Sequence, residues 1–388
     1  MGGLAGRIAL ATAARLLFNT ARRFPYPFAP ALSRGMGVPL TAVTALIGVN
    51  QITGLFGLLF GPMADRLGYR RMMGAGTACL AVGMLAAAFF PCYPVVMAGL
   101  FLAGLGKIIY DPALQGFIGR FVPFSRRGLV FGGVETSWAG ATLVGVPVIG
   151  LLMEHFGWRA PFFLVGGLAV VFGGMLVAAL PSARPEPLDS GKRQRLSAAW
   201  GEVLESRAAR GALWFSFLVS VANDNLFVAY GAWLETEYGL SLVALGLATI
   251  TVGVAELAGE GMVALFGDRS GLYRSVLGST VLAGLAYAAL PLYGQSLAAA
   301  LTGLFVVFLV FEYSVVCSIS LFTELRPKAR ATMMAGFFAA ACVGRVTGAL
   351  LGGPAWMYGG IEAVGAISGG ISLVAALVLW RGLRGWRP

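Results

Sequence analysis

Glu256 and Glu260 stand four residues apart in an otherwise apolar run, on one face if that run is helical. Two carboxylates close together in a low dielectric cannot both ionise cheaply, so one should hold a proton near neutral pH. The pair can thus exchange protons, unless one carboxylate meets a cation such as Arg345 and the other reaches the inner surface. Asp224, in the triplet Asn223-Asp224-Asn225, and Glu312, followed by Tyr313, are set in apolar runs in the same way and suit the lining of a polar cavity. The amino-terminal half carries the opposite sign: Arg15, Arg22, Arg23 and Lys107, beside Asp111 and Glu135. Arginine and lysine there can hold a carboxylate or phosphate, whereas a cationic solute would favour Asp224, Glu256 and Glu312. Lys107 and Asp111 are also four apart and can neutralise each other, or Asp111 can meet the arginines of an inner loop.

These residues matter because of what surrounds them. The chain has 388 residues, 58% hydrophobic and 12% charged. Soluble domains carry roughly twice that share of charge. Apolar runs of about 20 residues, the length that crosses a bilayer as a helix, recur throughout. They predict twelve spans, near 7–32, 40–62, 72–90, 95–119, 128–153, 160–180, 211–234, 241–266, 274–294, 297–322, 331–353 and 361–380. Ionisable residues are costly inside a bilayer and mark function by default. Arg22, Lys107, Asp224, Glu256, Glu312 and Arg345 fall near the middle of their spans, while Asp111, Glu135 and Glu260 fall nearer the inner face. Pro25, Pro27 and Pro30 should bend or break the first span, as a broken helix lining a cavity tolerates, with Asn19 and Tyr26 beside it. Glycine, at 56 residues, supplies close-packing ridges such as Gly344, Gly348 and Gly352, and Gly57 with Gly61.

The net charge of +11 is placed by topology. With both termini in the cytoplasm, Arg66, Arg70, Arg71, Arg120, Arg126, Arg127, Arg269, Arg274, Arg326, Lys328 and Arg330 fall in inner loops, and the outer loops keep only Arg34 and Arg159. This is the positive-inside pattern, and it argues against a nucleic-acid partner. The polar stretch 181–210 divides the chain into bundles at 1–180 and 211–388. The halves are related: Asp65-Arg66-Leu67-Gly68 and Asp268-Arg269-Ser270-Gly271 end the second span of each.

The segment Gly61-x-x-x-Asp65-Arg66-x-Gly68-Tyr69-Arg70-Arg71 resembles the signature loop between spans two and three of the major facilitator superfamily. That resemblance implies an all-α integral membrane fold, twelve transmembrane helices in two pseudo-symmetric six-helix bundles, with a substrate site between the halves. It implies that Gly61, Asp65, Arg66, Gly68, Arg70 and Arg71, with the second copy at Asp268 and Arg269, act as a conformational latch, and that the protein works as a monomer. Gly145-Val146-Pro147 in the fifth span is similar to the Gly-Pro motif of drug–proton antiporters, with one residue added between.

Other chemistry is poorly supplied. His155 is the only histidine, and Cys79, Cys92, Cys317 and Cys342 have neither disulfide nor metal spacing. A catalytic constellation, a metal site, a cofactor site and a nucleotide-binding loop all lack their residues. The expectation is a secondary transporter of the plasma membrane (the bacterial inner membrane) that works by alternating access. Its coupling ion would be a proton, exchanged at Asp224, Glu256, Glu260 and Glu312, and its cavity would include Asn19, Arg22, Tyr26, Lys107, Asn223 and Arg345. Efflux of a small organic solute leads; uptake of an organic anion and lipid or lysolipid flipping on the same fold stay open.

Overall fold

A computed structural model describes the backbone of residues 3–56, 60, 67–181, 201, 204–325 and 330–385; side chains at 119, 124–129, 131–132, 264–270, 323 and 330–332 fall outside the description. Among the described residues the regular structure is all helical, with no strand. The helices are α1 (Leu4–Arg23), α2 (Ala29–Met36), α3 (Leu40–Ile52), α4 (Tyr69–Phe89), α5 (Tyr93–Phe121), α6 (Phe124–Gly140), α7 (Val146–Phe156) and α8 (Ala160–Ala179). After the linker come α9 (Arg207–Phe227), α10 (Tyr230–Tyr238), α11 (Leu242–Ser270), α12 (Leu272–Ala289), α13 (Leu297–Glu324) and α14 (Arg330–Leu383). Nine helices among the described residues are long and apolar enough to cross a membrane.

The chain forms two compact units, Met1–Asp189 with Ser241–Ile250, and Ser190–Leu240 with Thr251–Pro388. Within the first, the Glu154 carboxylate accepts the N–H of Val243 at 3.0 Å. That satisfies one donor that the start of α11 leaves without an intrahelical partner.

Several spans are broken, each with an identifiable cause. Neither Pro25 nor Pro27 can donate a backbone hydrogen bond, so the first span stops at Arg23, turns through 24–28 and resumes as α2. In the fifth span a π-helical turn, Ala141–Gly145, precedes Pro147 at the start of α7. Proline there removes an i→i−4 bond, and a widened turn absorbs the loss. In the seventh, the Ala229 N–H turns to Leu226, three residues back, between α9 and α10. α14 contains two predicted spans joined by Gly359 and Gly360, whose backbone is not helical.

The repeat read from the sequence is written into the backbone. Among the described residues, positive φ outside glycine does not occur. Gly37 (φ 66°) and Gly239 (φ 62°) end α2 and α10 in the left-handed conformation. Gly68 (φ 89°) and Gly271 (φ 76°) cap the starts of α4 and α12, and Gly157 (φ 82°) and Gly360 (φ 56°) follow the fifth and eleventh spans. Each pair is separated by 202 or 203 residues. A residue with a Cβ is strained at such angles, so these turns are fixed by glycine.

Packing inside each unit uses small residues to bring backbones together, because lipid gives no hydrophobic drive for helix association. In the first unit, a Cβ on Gly76 would lie 2.6 Å from the Gly106 carbonyl oxygen, which seats α4 on α5. In the second, the ridge Gly344, Gly348 and Gly352 lies on α9. A Cβ on Gly348 would meet the Val221 carbonyl oxygen at 2.5 Å and the Asp224 Cβ at 3.0 Å. The apolar core beside that contact includes Phe215, Phe322, Met333, Phe337 and Leu379, all buried.

Candidate functional site

In the first unit a cluster of charges joins α1, α5 and α6. Lys107 and Asp111 are one turn apart on α5, and Lys107 Nζ reaches Asp111 Oδ2 at 2.7 Å. The other carboxylate oxygen receives Arg15 Nε from α1 at 3.2 Å. Arg15 Nη1 also donates to Glu135 Oε2 (3.0 Å), the Val134 carbonyl (3.1 Å) and Ser137 Oγ (3.2 Å) on α6. Asn19, one turn beyond Arg15, donates to the same Ser137 hydroxyl at 3.2 Å. Arg15 and Lys107 are 7% and 5% exposed, so the two cations are desolvated and held by carboxylates and dipoles. Of the two partners the sequence offers Asp111, the structure therefore shows Lys107, joined by Arg15. Arg66, of the inner loop, lies outside the described residues.

A second polar group surrounds the break in the first span. Arg22 Nη2 donates to Gln51 Oε1, and Gln51 Nε2 donates to the Tyr26 hydroxyl. Arg23 donates to Thr142 in the π-helical turn, and its guanidinium lies 4.2 Å from the centre of the Trp138 ring. Both arginines sit in the last turn of α1, where the partial negative charge of the helix end favours them.

The second unit holds the acidic counterpart. Asn223, Asp224 and Asn225 are buried in the last turn of α9. Asn225 Nδ2 donates to Ser368 Oγ (2.9 Å) and the Val364 carbonyl (3.2 Å), and Ser368 donates to the Ala222 carbonyl (2.8 Å). Tyr287 donates to Asn223 Oδ1 at 3.4 Å. Asp224 is 2% exposed. A negative charge at the carboxyl end of a helix opposes the local dipole, the reverse of the favourable arrangement at Arg22. The repeat makes the contrast direct: Arg22 and Asp224 are 202 residues apart, the same interval as Gly37 and Gly239.

The remaining acidic candidates share one helix contact. Glu256, Gly259 and Glu260 lie on one face of α11, and a Cβ on Gly259 would meet the Leu309 carbonyl oxygen at 2.8 Å and the Glu312 Cβ at 2.9 Å. Gly259 is thus the notch that admits α13, and it sets the Cβ of Glu312 against the turn of α11 that carries Glu256 and Glu260. Glu256 is buried, Glu312 half-buried and Glu260 exposed; Arg345 is half-buried on α14.

Among the motif residues, Gly68, Arg70 and Arg71 open α4, with both arginines at least partly exposed. Gly61, Asp65 and Arg66 lie outside the described residues, as do the side chains of Asp268 and Arg269, whose backbone ends α11. Sequence reasoning counted Arg15 among the embedded charges without making it a site residue, and it passed over Gln51, Ser137, Thr142, Tyr287, Ser368 and Gly259. Gln51 carried a signal: Asn50-Gln51 is a polar pair inside an apolar span, like the Asn223 triplet. Gly259 carried none, since its role depends on the helix opposite.

The sequence model of the Major Facilitator Superfamily matches residues 11–223, more than half of the chain. The MFS-type transporter YceJ of Bacillus subtilis (strain 168) is 25% identical over 316 residues, covering 81% of this chain and 79% of the relative. A multi-drug resistance efflux pump PmrA homolog of Lactococcus lactis subsp. lactis (strain IL1403) is 25% identical over 259 residues, 65% of this chain and 64% of the relative. Among solved structures, a D-xylose-proton symporter superposes with a TM-score of 0.76 at 19% identity, covering 96% of each chain. Helical spans, paired glycines of positive φ at a fixed interval and these likenesses agree, and the chain belongs to the Major Facilitator Superfamily of multi-pass membrane transporters.

Proposed function

We propose that this protein is a proton-coupled secondary transporter that exports a small organic solute across the bacterial inner membrane by alternating access. The observation that carries the coupling is the seating of Glu312 against Gly259, the residue between Glu256 and Glu260 on α11, in a unit that also buries Asp224 at the wrong end of a helix dipole. Carboxylates in such places exchange protons with a cost or gain that a conformational change can alter. Export is supported by the efflux-pump relative and by the Gly145-Val146-Pro147 break in the fifth span.

The same reading counts twelve spans. The pairs α1–α2, α6–α7 and α9–α10 each form one broken span, and α14 forms two. The bundles are 1–180 and 211–388, with 181–210 as a cytoplasmic linker and both termini in the cytoplasm. Gly61, Asp65, Arg66, Gly68, Arg70 and Arg71, with Asp268 and Arg269, serve as the latch, and the unit of function is the monomer. Uptake of an organic anion is the second reading, favoured by the Arg22–Gln51–Tyr26 group, which gathers guanidinium, amide and phenol donors at a helix break.

The test is internal pH in proteoliposomes during addition of organic anions, sugars and cationic drugs. One solute class should move protons in the wild type. Asp224→Asn or Glu256→Gln should abolish that movement while solute exchange without a gradient persists. Wild-type proton movement in both variants would overturn the coupling site.

A further inference from the structure

The charge cluster of the first unit leaves two buried polar groups unanswered. Lys107 is 5% exposed, and among the described residues its ammonium bonds only to Asp111 Oδ2, at 2.7 Å. An ammonium has three donors, so two N–H groups of Lys107 lack an acceptor. Asn19 is fully buried, and its Oδ1 has no hydrogen-bond partner. The orientation of that amide is set by its neighbour. Ser137 Oγ gives its proton to the Val134 carbonyl at 2.7 Å, so toward Asn19 it only accepts, and Asn19 Nδ2 must face it. Oδ1 is thereby turned away from Ser137. Buried polar groups in folded proteins are nearly always satisfied, so an orphan acceptor and two orphan donors call for an occupant.

The two groups sit at one level of the bundle. Arg15 meets Asp111, and three residues on, Phe18 lies 3.2 Å from where a Cβ on Gly106 would stand, five residues back on α5. α1 and α5 therefore run antiparallel. Asn19 lies four residues after Arg15 on α1, and Lys107 four before Asp111 on α5. One turn of each helix thus carries both to the same height, about 6 Å from the Arg15–Asp111 bond. They do not bond each other, so the space between them is wider than a hydrogen bond. The cluster opens on its other side, where the Asp111 and Glu135 side chains are 19% and 57% exposed.

An occupant must accept from Lys107 and donate to Asn19. A bare carbonyl does only the first, whereas a hydroxyl or a primary carboxamide does both. We propose that Lys107 and Asn19 form a subsite of the first unit for a solute group that accepts and donates hydrogen bonds together, a hydroxyl or a primary carboxamide. The inference rests on the transport reading for the word solute; the binding itself does not.

The experiment uses the full chain in lipid nanodiscs without any gradient, so its outcome is independent of proton coupling. The probes are para-fluorobenzyl alcohol and para-fluorobenzamide, which carry both functions, and para-fluoroacetophenone, which accepts but cannot donate. Fluorine NMR titrations, with the empty-nanodisc signal subtracted, give the three affinities. The alcohol and the amide should bind saturably and about tenfold or more tightly than the ketone, which leaves the Asn19 oxygen buried without a donor. Asn19→Leu should remove that preference by weakening the alcohol and the amide to the level of the ketone. Asn19→Asp, which keeps an acceptor there, should preserve it. Lys107→Met should weaken all three probes by about tenfold while their ratio stays, since it removes the donor they share. A ketone as tight as the other two in the wild type would overturn the proposal. So would a preference that survives in Asn19→Leu, or binding unchanged in Lys107→Met. Signals from all three probes that match empty nanodiscs would mean that water alone fills the pair, and would overturn it too. Solute movement in the proteoliposome assay beside such a result would leave the transport reading standing and remove only the subsite.

Discussion

Asp111 is the hub of the charge cluster in the first unit, and the geometry ranks substitutions there. Its carboxylate serves Lys107 through one oxygen and Arg15 through the other, at 2.7 and 3.2 Å, with side-chain exposures of 19% for Asp111, 6% for Lys107 and 8% for Arg15. Asp111→Asn leaves Arg15 with Glu135, Ser137 and the Val134 carbonyl, but removes the carboxylate from Lys107. Stranding one member of a buried ion pair costs about 3–5 kcal/mol. Loss of the lysine proton caps that cost: from an ordinary lysine pKa of about 10.4, neutralisation at pH 7 takes about 4.6 kcal/mol. Lys107→Met leaves the Asp111 charge paired with Arg15 and fills similar volume, so it strands no charge and should cost less than Asp111→Asn, about 1–3 kcal/mol for the carboxylate oxygen that loses its partner. The diagnostic is the double variant. Lys107→Met with Asp111→Asn removes the stranded charge and should be more stable than Asp111→Asn alone, a sign that independent contacts cannot produce. Unfolding in mixed micelles with dodecyl sulfate, followed by helical circular dichroism, gives the three free energies. The reasoning fails if Asp111→Asn is as mild as Lys107→Met, or if the two losses simply add.

Further outcomes follow from the backbone. Gly348→Ala places a methyl group 2.5 Å from the Val221 carbonyl oxygen. It should destabilise by about 1–3 kcal/mol through overpacking. Gly370→Ala, which meets nothing within 4 Å, is the control in the same unfolding assay, and equal costs would contradict the ridge. Gly68→Ala and Gly271→Ala force a Cβ into positive φ with ψ of 142° and 124°, outside the left-handed helical region, and should each cost about 1–3 kcal/mol. Because the two glycines hold equivalent turns, their costs should agree; a large difference in thermal unfolding would count against the repeat as a shared strain site.

The positions of the helices were legible because lipid imposes a rule that one sequence can reveal: a spanning helix must be about 20 residues of apolar chain. The predicted third, sixth and tenth spans, at 72–90, 160–180 and 297–322, lie within one or two residues of helices that the structure begins or ends, or inside them. The first span, predicted at 7–32, is a helix, a turn and a second helix, and the break falls at the prolines that predicted it. The eleventh and twelfth are joined by two residues with non-helical torsions, a detail that apolar length cannot show.

Sequence by itself determined the membrane class, the two-fold repeat and the list of embedded charges, because each follows from local composition and spacing. The i,i+4 pair Lys107–Asp111 belongs with these, since a helix alone brings the two together. What only the tertiary structure decided is which distant groups meet. Arg15 reaches across to Asp111 and Glu135, Gln51 joins Arg22 to Tyr26, and Gly259 admits the backbone of α13 at Glu312. These partners lie 25 to 120 residues apart in the chain, as with Tyr26 and Gln51 or Arg15 and Glu135. Such meetings depend on the rotation and closeness of packed helices, which small residues on the facing surfaces set, and no periodicity along one helix records what its neighbour presents.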